Sequence, residues 1–132
     1  MALACAGHPA PVLRRADGSA AELAVAGPLI GVFAQLEIRS STFTLAPGEA
    51  LVLYTDGVSE ARRGTALFGD DALLRVIAES ERSADADTLA RRIEDAALAF
   101  CGGTASDDIA ILVLRVPPDA DTCMRIQVGP AK

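Results

Sequence analysis

The side chains best placed to do chemistry are aspartates at the ends of two apolar segments. Asp56 directly follows the apolar run 50–55, and Asp107 and Asp108 directly precede the run 109–116. Both runs are apolar on both faces and are predicted to be strands, and the first is expected to be central in its sheet. If the two strands pair antiparallel, the end of one lies beside the start of the other. We therefore expect Asp56 and Asp107 to meet at one edge of the sheet.

Two carboxylates held close together repel each other unless a cation lies between them. Ligand sets made of oxygen atoms suit Mg²⁺ or Mn²⁺. Such ions bind phosphate oxygens and acidify bound water, so phosphoester hydrolysis is the natural chemistry of such a site. The alternative interpretation is structural, because Asp-Gly after a strand is a common turn and an aspartate before a strand is often only solvated. On spacing alone, the structural interpretation is favoured.

Other catalytic chemistries find less support in the residues. The single histidine, His8, lies between two short predicted strands, and the chain has no Gly-x-Ser-x-Gly elbow to supply a nucleophile. A structural role for His8 is therefore favoured. One histidine and three scattered cysteines do not form a tetrahedral zinc site. The segment 102–106 lacks the Gly-Lys-Ser/Thr ending of a phosphate-binding loop.

Composition narrows the class of protein. The 132 residues are enough for one small domain, and 51% are hydrophobic but only 4% aromatic, so Leu, Val, Ile and Ala must build the core. A net charge of −6 argues against nucleic acid as a partner. We see no apolar stretch of the roughly 18 residues that a membrane span needs, and no signal peptide. Three unclustered cysteines favour a reduced, cytoplasmic chain.

The first half of the chain is predicted to be mostly strand. Residues 2–6 and 10–15 form two short strands, and 16–19 form a hairpin turn. Residues 26–35 are expected to form a loop that packs against the core. Residues 37–45 are β-prone, with a change of apolar phase near Ser40 and Ser41 that is compatible with a bulge.

The second half is predicted to hold two helices followed by one strand. Asp70 or Asp71 would cap the first helix, whose apolar face holds Leu73, Leu74, Ile77 and Ala78. The second helix follows residues 83–87, carries an apolar stripe from Leu89 to Phe100, and ends at 101–103. The order of elements predicts an α+β fold with helices segregated from a largely antiparallel sheet.

Five segments in order resemble one protein family. They are LACAGHPAPVLRRADG, GPLIGVF, TLAPGEALVLYTDGVSEAR, LFGDDALLRVI and SDDIAILVLRV, within about residues 3–116. Together they resemble the SpoIIE-like branch of the PPM-type, metal-dependent Ser/Thr protein phosphatases. The most specific parts are YTDGVSEA and SDDIAILV.

The resemblance implies an α-β-β-α sandwich of antiparallel sheets with flanking helices. It also implies two Mn²⁺ or Mg²⁺ ions, whose bridging water attacks phosphoserine or phosphothreonine without a phospho-enzyme. Members of this branch commonly act on phosphorylated anti-sigma-factor antagonists of the STAS type. Matched residue by residue, Asp56 and Asp107 fall on metal-ligand positions. Gly57, expected to allow the chain reversal that aims Asp56, and Asp108 fall on supporting positions.

The resemblance covers only the C-terminal part of the family's domain, which corresponds to residues 1–116. Residues 117–132 are predicted to be a tail, which could add a short strand. Further ligands of the family lie in the first half, which has no counterpart here. We therefore expect a homo-oligomer or pairing with a separate N-terminal half. A catalytically incomplete binding or oligomerisation module is the main alternative. A haloacid-dehalogenase-like phosphatase fits poorly, because its motif needs two aspartates that flank one residue, and the segment around Asp56 has only one.

Overall fold

The computed structural model describes residues 3–25, 27–32, 40–121 and 124–126. In the first half, six strands are present: β1 (Leu3–Ala4), β2 (Val12–Arg14), β3 (Ala20–Glu22), β4 (Ser40–Ser41), β5 (Phe43–Leu45) and β6 (Ala50–Tyr54). In the second half, a one-turn helix α1 (Asp56–Ser59) and a small hairpin of β7 (Arg62–Arg63) and β8 (Ala66–Leu67) come first. Helices α2 (Gly69–Ala78) and α3 (Ala86–Phe100) and strands β9 (Ile111–Arg115) and β10 (Met124–Ile126) follow.

The main sheet has four antiparallel strands in the order β3-β2-β6-β9. As predicted, β6 is central, and its five residues pair with β9 from Ala50↔Arg115 to Tyr54↔Ile111. Two short ladders lie beside the sheet: β1 pairs with β4, and β5 pairs with β10. The strand that the sequence allowed in the C-terminal tail is therefore present.

Strand alternation gives the main sheet two apolar faces. One face packs against α2 and α3, and its core holds Val12, Val52, Tyr54, Leu73 and Ile93. The other face packs Leu13 and Leu51 against Leu45 of β5, with Leu3 of β1 at the margin. The result is a helix layer, a main sheet and short strands on the far side, as expected for part of an α-β-β-α sandwich.

The far face of the main sheet is not covered evenly. Leu112 of β9 is 57% exposed, so this strand is not buried on both sides as its sequence suggested. The prediction that the loop after β3 packs down is wrong for its described apolar residues, because Leu29, Ile30 and Val32 are also exposed. Gly27 does pack closely, against the backbone of Cys5. Residues 26 and 33–35 of that loop lie outside the described residues.

The two long helices begin differently. Helix α3 begins at Ala86, slightly earlier than predicted, with a cap that the sequence analysis did not single out: the Asp85 carboxylate accepts a hydrogen bond from the Thr88 N–H at 2.8 Å. The predicted aspartate cap of α2 is wrong: Phe68 holds the cap position, with no side-chain cap, and Asp70 and Asp71 lie in the first helical turn. There their negative charges stabilise the helix, because the N-terminal end of a helix carries a partial positive charge.

The β-prone segment predicted at 37–45 is β4 and β5, with residues 37–39 outside the described residues. The phase change near Ser40 and Ser41 coincides with a change of partner strand, from β1 to β10. Within the described residues, no helix combines the length and the apolarity needed to cross a membrane.

Candidate functional site

The antiparallel pairing of β6 with β9 brings the two aspartate segments to one edge of the main sheet. The ladder ends at Tyr54↔Ile111, and the Thr55 N–H extends it by donating to the Ala110 carbonyl at 3.1 Å. Asp56 comes one residue after this contact, and Asp107 and Asp108 come just before it on the other strand. The predicted meeting of the two segments is therefore confirmed at the level of the backbone.

Thr55 joins the two segments through its side chain, which the sequence analysis did not single out. Its hydroxyl donates to the Asp108 carbonyl at 2.8 Å and accepts from the Ala110 N–H at 3.0 Å. A hydroxyl residue directly between a buried strand and an Asp-Gly pair was the available signal. Its partner, however, lies more than fifty residues away in the chain.

Gly57 is needed for space rather than for an unusual backbone angle. It lies in α1, and its φ angle is not positive. A Cβ atom at this position would overlap the Asp108 carbonyl oxygen and would lie 2.9 Å from the Asp108 carbonyl carbon. The close approach gives Gly57 a steric role: it lets α1 approach the segment that carries Asp107.

The three candidate carboxylates are all exposed to solvent. Asp107 Oδ1 accepts from the Asp108 N–H at 2.7 Å, which holds this side chain against its own backbone. Asp108 contributes its backbone to the edge, through the carbonyl that Thr55 and Gly57 contact. The Asp56 carboxylate has no hydrogen bond or ion pair to any described residue.

Carboxylate oxygens fit a hard divalent cation by their chemistry, but their number here is short of a complete site. Among the described residues, no group of three or more His, Cys, Asp or Glu side chains could hold a metal ion. Asp56 and Asp107 can therefore supply part of a ligand set for Mg²⁺ or Mn²⁺, and the remainder must come from elsewhere.

Tyr54 ties this edge to the helix layer. Its hydroxyl donates to Asp70 Oδ1 across 3.4 Å, a long contact that joins the end of β6 to the start of α2. Burial raises the pKa of Tyr54 above its ordinary value of 10, and the charges of Asp70 and Glu22 raise it further. The phenol therefore stays protonated and serves as a hydrogen-bond donor.

His8 lies beside the edge but outside the group of carboxylates. Its side chain is exposed and borders two neighbouring cavities, of about 320 Å³ and 290 Å³, on the far face of the main sheet. The second cavity is also lined by Thr55 and Leu112. The Cys5 thiol donates to the His8 carbonyl at 3.0 Å, so the backbone of this turn is fixed locally.

Solved structures share this architecture. The structure of the PP2C phosphatase domain and a fragment of the regulatory domain of SpoIIE from Bacillus subtilis matches with a TM-score of 0.70 at 18% identity, over 88% of this chain and 34% of that one. The SpoIIE phosphatase domain from the same organism, presoaked with Mn, matches with a TM-score of 0.67 at 14% identity, over 92% and 58%. At these identities the likeness shows the fold.

A third structure is more similar in sequence. The RsbU and RsbW domains of Rv1364c from Mycobacterium tuberculosis match at 26% identity with a TM-score of 0.62, over 98% of this chain and 33% of that one. The chain thus spans between about a third and three-fifths of the three solved chains.

Among curated proteins, no match was found. The family model described as Stage II sporulation protein E (SpoIIE), in contrast, matches residues 1–117. This range contains strands β6 and β9, both long helices, and Asp56, Asp107 and Asp108, which we call the edge aspartates. Fold, order of motifs and family model agree, and the chain belongs to the SpoIIE family, whose solved members include PP2C phosphatase domains.

Proposed function

We propose that this chain supplies Asp56 and Asp107 to the metal site of a protein phosphatase that hydrolyses phosphoserine or phosphothreonine. The observation that supports this most directly is the joined end of β6 and β9, where Thr55 and Gly57 bring two exposed aspartate segments together. Two Mn²⁺ or Mg²⁺ ions complete the proposed site. Bound there, they would supply Lewis-acid activation of water for attack on phosphorus.

The residues of the chain have separate tasks in this proposal. Asp56 and Asp107 present carboxylate oxygens. The Asp56 carboxylate has no partner among the described residues, and no cation among them pairs with either carboxylate, so both can draw a metal ion to the edge. Further ligands come from parts of the phosphatase domain outside residues 1–132, in keeping with the limited share of the solved chains that this chain spans.

The proposed substrate is a phosphorylated regulatory protein, an anti-sigma-factor antagonist of the STAS type. Membership of the SpoIIE family and the likeness to the RsbU and RsbW domains support this choice. A reducing, cytoplasmic setting belongs to the same proposal and is supported by the free thiols of Cys5 and Cys101.

The test is Mn²⁺-dependent phosphate release from a phosphoserine STAS protein. It uses the full chain, alone and joined to the N-terminal half of a SpoIIE-family phosphatase domain. Asp56→Asn and Asp107→Asn should each lower the rate of the joined protein at least about 100-fold. Asp119→Asn, an exposed aspartate after β9, is the control and should leave the rate unchanged. Full activity in both edge variants would overturn the proposal.

A second candidate function is a binding or oligomerisation module without catalysis. This second candidate is favoured because the described residues hold no group of three or more side chains that could bind a metal ion. The exposed side chains of Leu29, Ile30 and Leu112 favour it as well. Such a surface favours association with a second copy or with a separate N-terminal half. Calorimetry on the joined protein separates the two functions: tight binding of two Mn²⁺ ions per protein would exclude the module. Light scattering that shows a compact monomer at micromolar concentration would argue against association.

A further inference from the structure

The hydroxyl of Thr55 occupies a place that a backbone carbonyl fills in a regular ladder. In an antiparallel hydrogen-bonded pair, each residue donates its N–H to the carbonyl of the other. Thr55 and Ala110 form half of such a pair, because the Thr55 N–H donates to the Ala110 carbonyl at 3.1 Å. The return bond differs: the Ala110 N–H donates at 3.0 Å to the Thr55 hydroxyl.

Because the hydroxyl accepts this hydrogen bond, the Thr55 carbonyl is free to accept a different one. That carbonyl accepts the Val58 N–H at 3.0 Å, which is the first turn of α1. Thr55 is also the N-cap residue of α1, yet its side chain makes no capping bond to the helix. The side chain thus continues the sheet while the main chain turns away to start the helix that begins with Asp56.

A second bond of the same hydroxyl fixes the opposite segment. The hydroxyl donates to the Asp108 carbonyl at 2.8 Å, and that carbonyl is the group against which Gly57 packs. One side chain therefore holds the backbone on both sides of the edge: the residue before Asp56 and the residue after Asp107.

We propose that Thr55 is a positioning residue that sets the separation of Asp56 and Asp107 through its hydroxyl. This inference rests on the proposed metal site. The hydroxyl acts only through the backbone and does not itself touch the metal or the substrate. A side chain of the same shape without the hydroxyl should therefore leave the fold in place and loosen the ligand geometry.

The test compares three variants of the chain joined to the N-terminal half of a SpoIIE-family phosphatase domain, so that the proposed ligand set is complete. Thr55→Val removes the hydroxyl and keeps the shape, and Thr55→Ser keeps the hydroxyl. Ser80→Ala is the matched control, because it deletes a hydroxyl that donates to the Val76 carbonyl at 2.7 Å, away from the edge. The measurements are amide hydrogen exchange at Ala110 and Mn²⁺ affinity, by NMR and by titration followed with electron paramagnetic resonance.

In Thr55→Val, exchange at Ala110 should be about tenfold faster, because its N–H loses its acceptor. Mn²⁺ affinity should fall about tenfold, as for other groups that hold metal ligands in place. Thr55→Ser should stay within about twofold of wild type in both measurements, since it offers the same donor and acceptor. Ser80→Ala should leave both unchanged. If Thr55→Val does not fold, Thr55→Ala removes the same hydroxyl without a new methyl contact.

The outcomes separate this inference from the proposal beneath it. If Asp56→Asn abolishes Mn²⁺ binding while Thr55→Val binds like wild type, the positioning role is overturned and the metal site stands. Equal losses of affinity in Thr55→Val and Ser80→Ala would likewise reduce Thr55 to a stabilising residue. If Mn²⁺ binding is absent, or indifferent to both Asp56→Asn and Asp107→Asn, the metal site fails and the positioning role fails with it.

Discussion

The two ends of the β6–β9 ladder carry opposite charges and use them in opposite ways. At one end, Arg14 of β2 and Arg115 of β9 both pair with Ala50, so that they flank it on the same face of the main sheet. At the other end, beyond Tyr54 and Ile111, lie the edge aspartates. The arginine side chains donate hydrogen bonds to backbone carbonyls of the fold, whereas the aspartate side chains are exposed to solvent.

The buried arginine shows how a charge is used in the fold. Arg14 is only 2% exposed, and its guanidinium donates to the Ile77 carbonyl at 2.9 Å and to the Ser80 carbonyl at 2.5 Å. These carbonyls lie at the end of α2, where helices leave acceptors without internal partners. Burial lowers the pKa of Arg14, and the nearby charges of Arg115 and Arg82 lower it further.

At the end that carries Asp56, Asp107 and Asp108, the charged side chains take little part in holding the fold together. The two segments are joined there by neutral groups, the Thr55 hydroxyl and the Gly57 backbone, while the carboxylates are exposed to solvent. An exposed carboxylate keeps its hydration and adds little to stability. Under the proposed function, stability and metal binding depend on opposite ends of the same strands, so substitutions of the charged residues at each end should affect different measurements.

The largest effect on stability is expected from Arg14→Ala. The change opens a cavity and removes the donors of two buried carbonyl groups, so the free energy of unfolding should fall by about 3 kcal/mol. Arg91→Ala is the control, because Arg91 is an exposed partner of Asp87 and should cost about 0.4 kcal/mol. Urea unfolding measures both, and equal losses would mean that the arginine end is not the stabilising one.

A smaller loss is expected from Gly57→Ala at the aspartate edge. The new methyl group must displace the Asp108 carbonyl, which should cost about 2 kcal/mol in the free energy of unfolding. Gly102→Ala is the comparison, since Gly102 has a φ of 78° and open space, and pays only for backbone strain of about 1 kcal/mol. Chemical unfolding of both variants decides; a Gly57→Ala protein as stable as wild type would contradict the close approach.

Asp85 tests how a carboxylate near the arginine end differs from those at the edge. Its hydrogen bonds from Thr88 hold its pKa below the ordinary value of 3.8, with a smaller effect of Arg115. Its stabilising contribution is therefore complete above about pH 4 and is lost as pH falls through the lowered pKa. Asp85→Ala should lower Tm by about 3 °C at pH 7. The difference from wild type should shrink at about pH 2, as followed by circular dichroism.

Asp56→Asn should have the smallest effect on stability. Because its carboxylate has no described partner, the free energy of unfolding should change by less than about 0.5 kcal/mol. In the protein joined to the N-terminal half, the same variant should lose Mn²⁺ binding under the proposed function. A clear loss of stability without a change in Mn²⁺ affinity would reverse the comparison, since it would make Asp56 a structural turn residue like those at many strand ends.

Much of the fold was predictable because its signals are local. The apolar runs at 50–55 and 109–116 predicted the paired strands β6 and β9, and the apolar stripe from Leu89 to Phe100 predicted α3. Their antiparallel pairing made the meeting of Asp56 and Asp107 predictable in turn. The start of α2 was missed, because Phe68 is fixed by non-local contacts: its N–H donates to the Ala61 carbonyl, and its ring packs on Phe100.

By itself, the sequence determined the family and the strands that carry the edge aspartates, because residue order and apolar patterning are enough to specify both. Only the tertiary structure decided that Arg14 is buried while its neighbour Arg15 stays exposed, since the carbonyls that receive Arg14 lie in another element. Tertiary structure also decided that Thr55 and Gly57 join the two segments. Both roles depend on the backbone at Asp108, which pairing brings within hydrogen-bonding distance and no local pattern encodes.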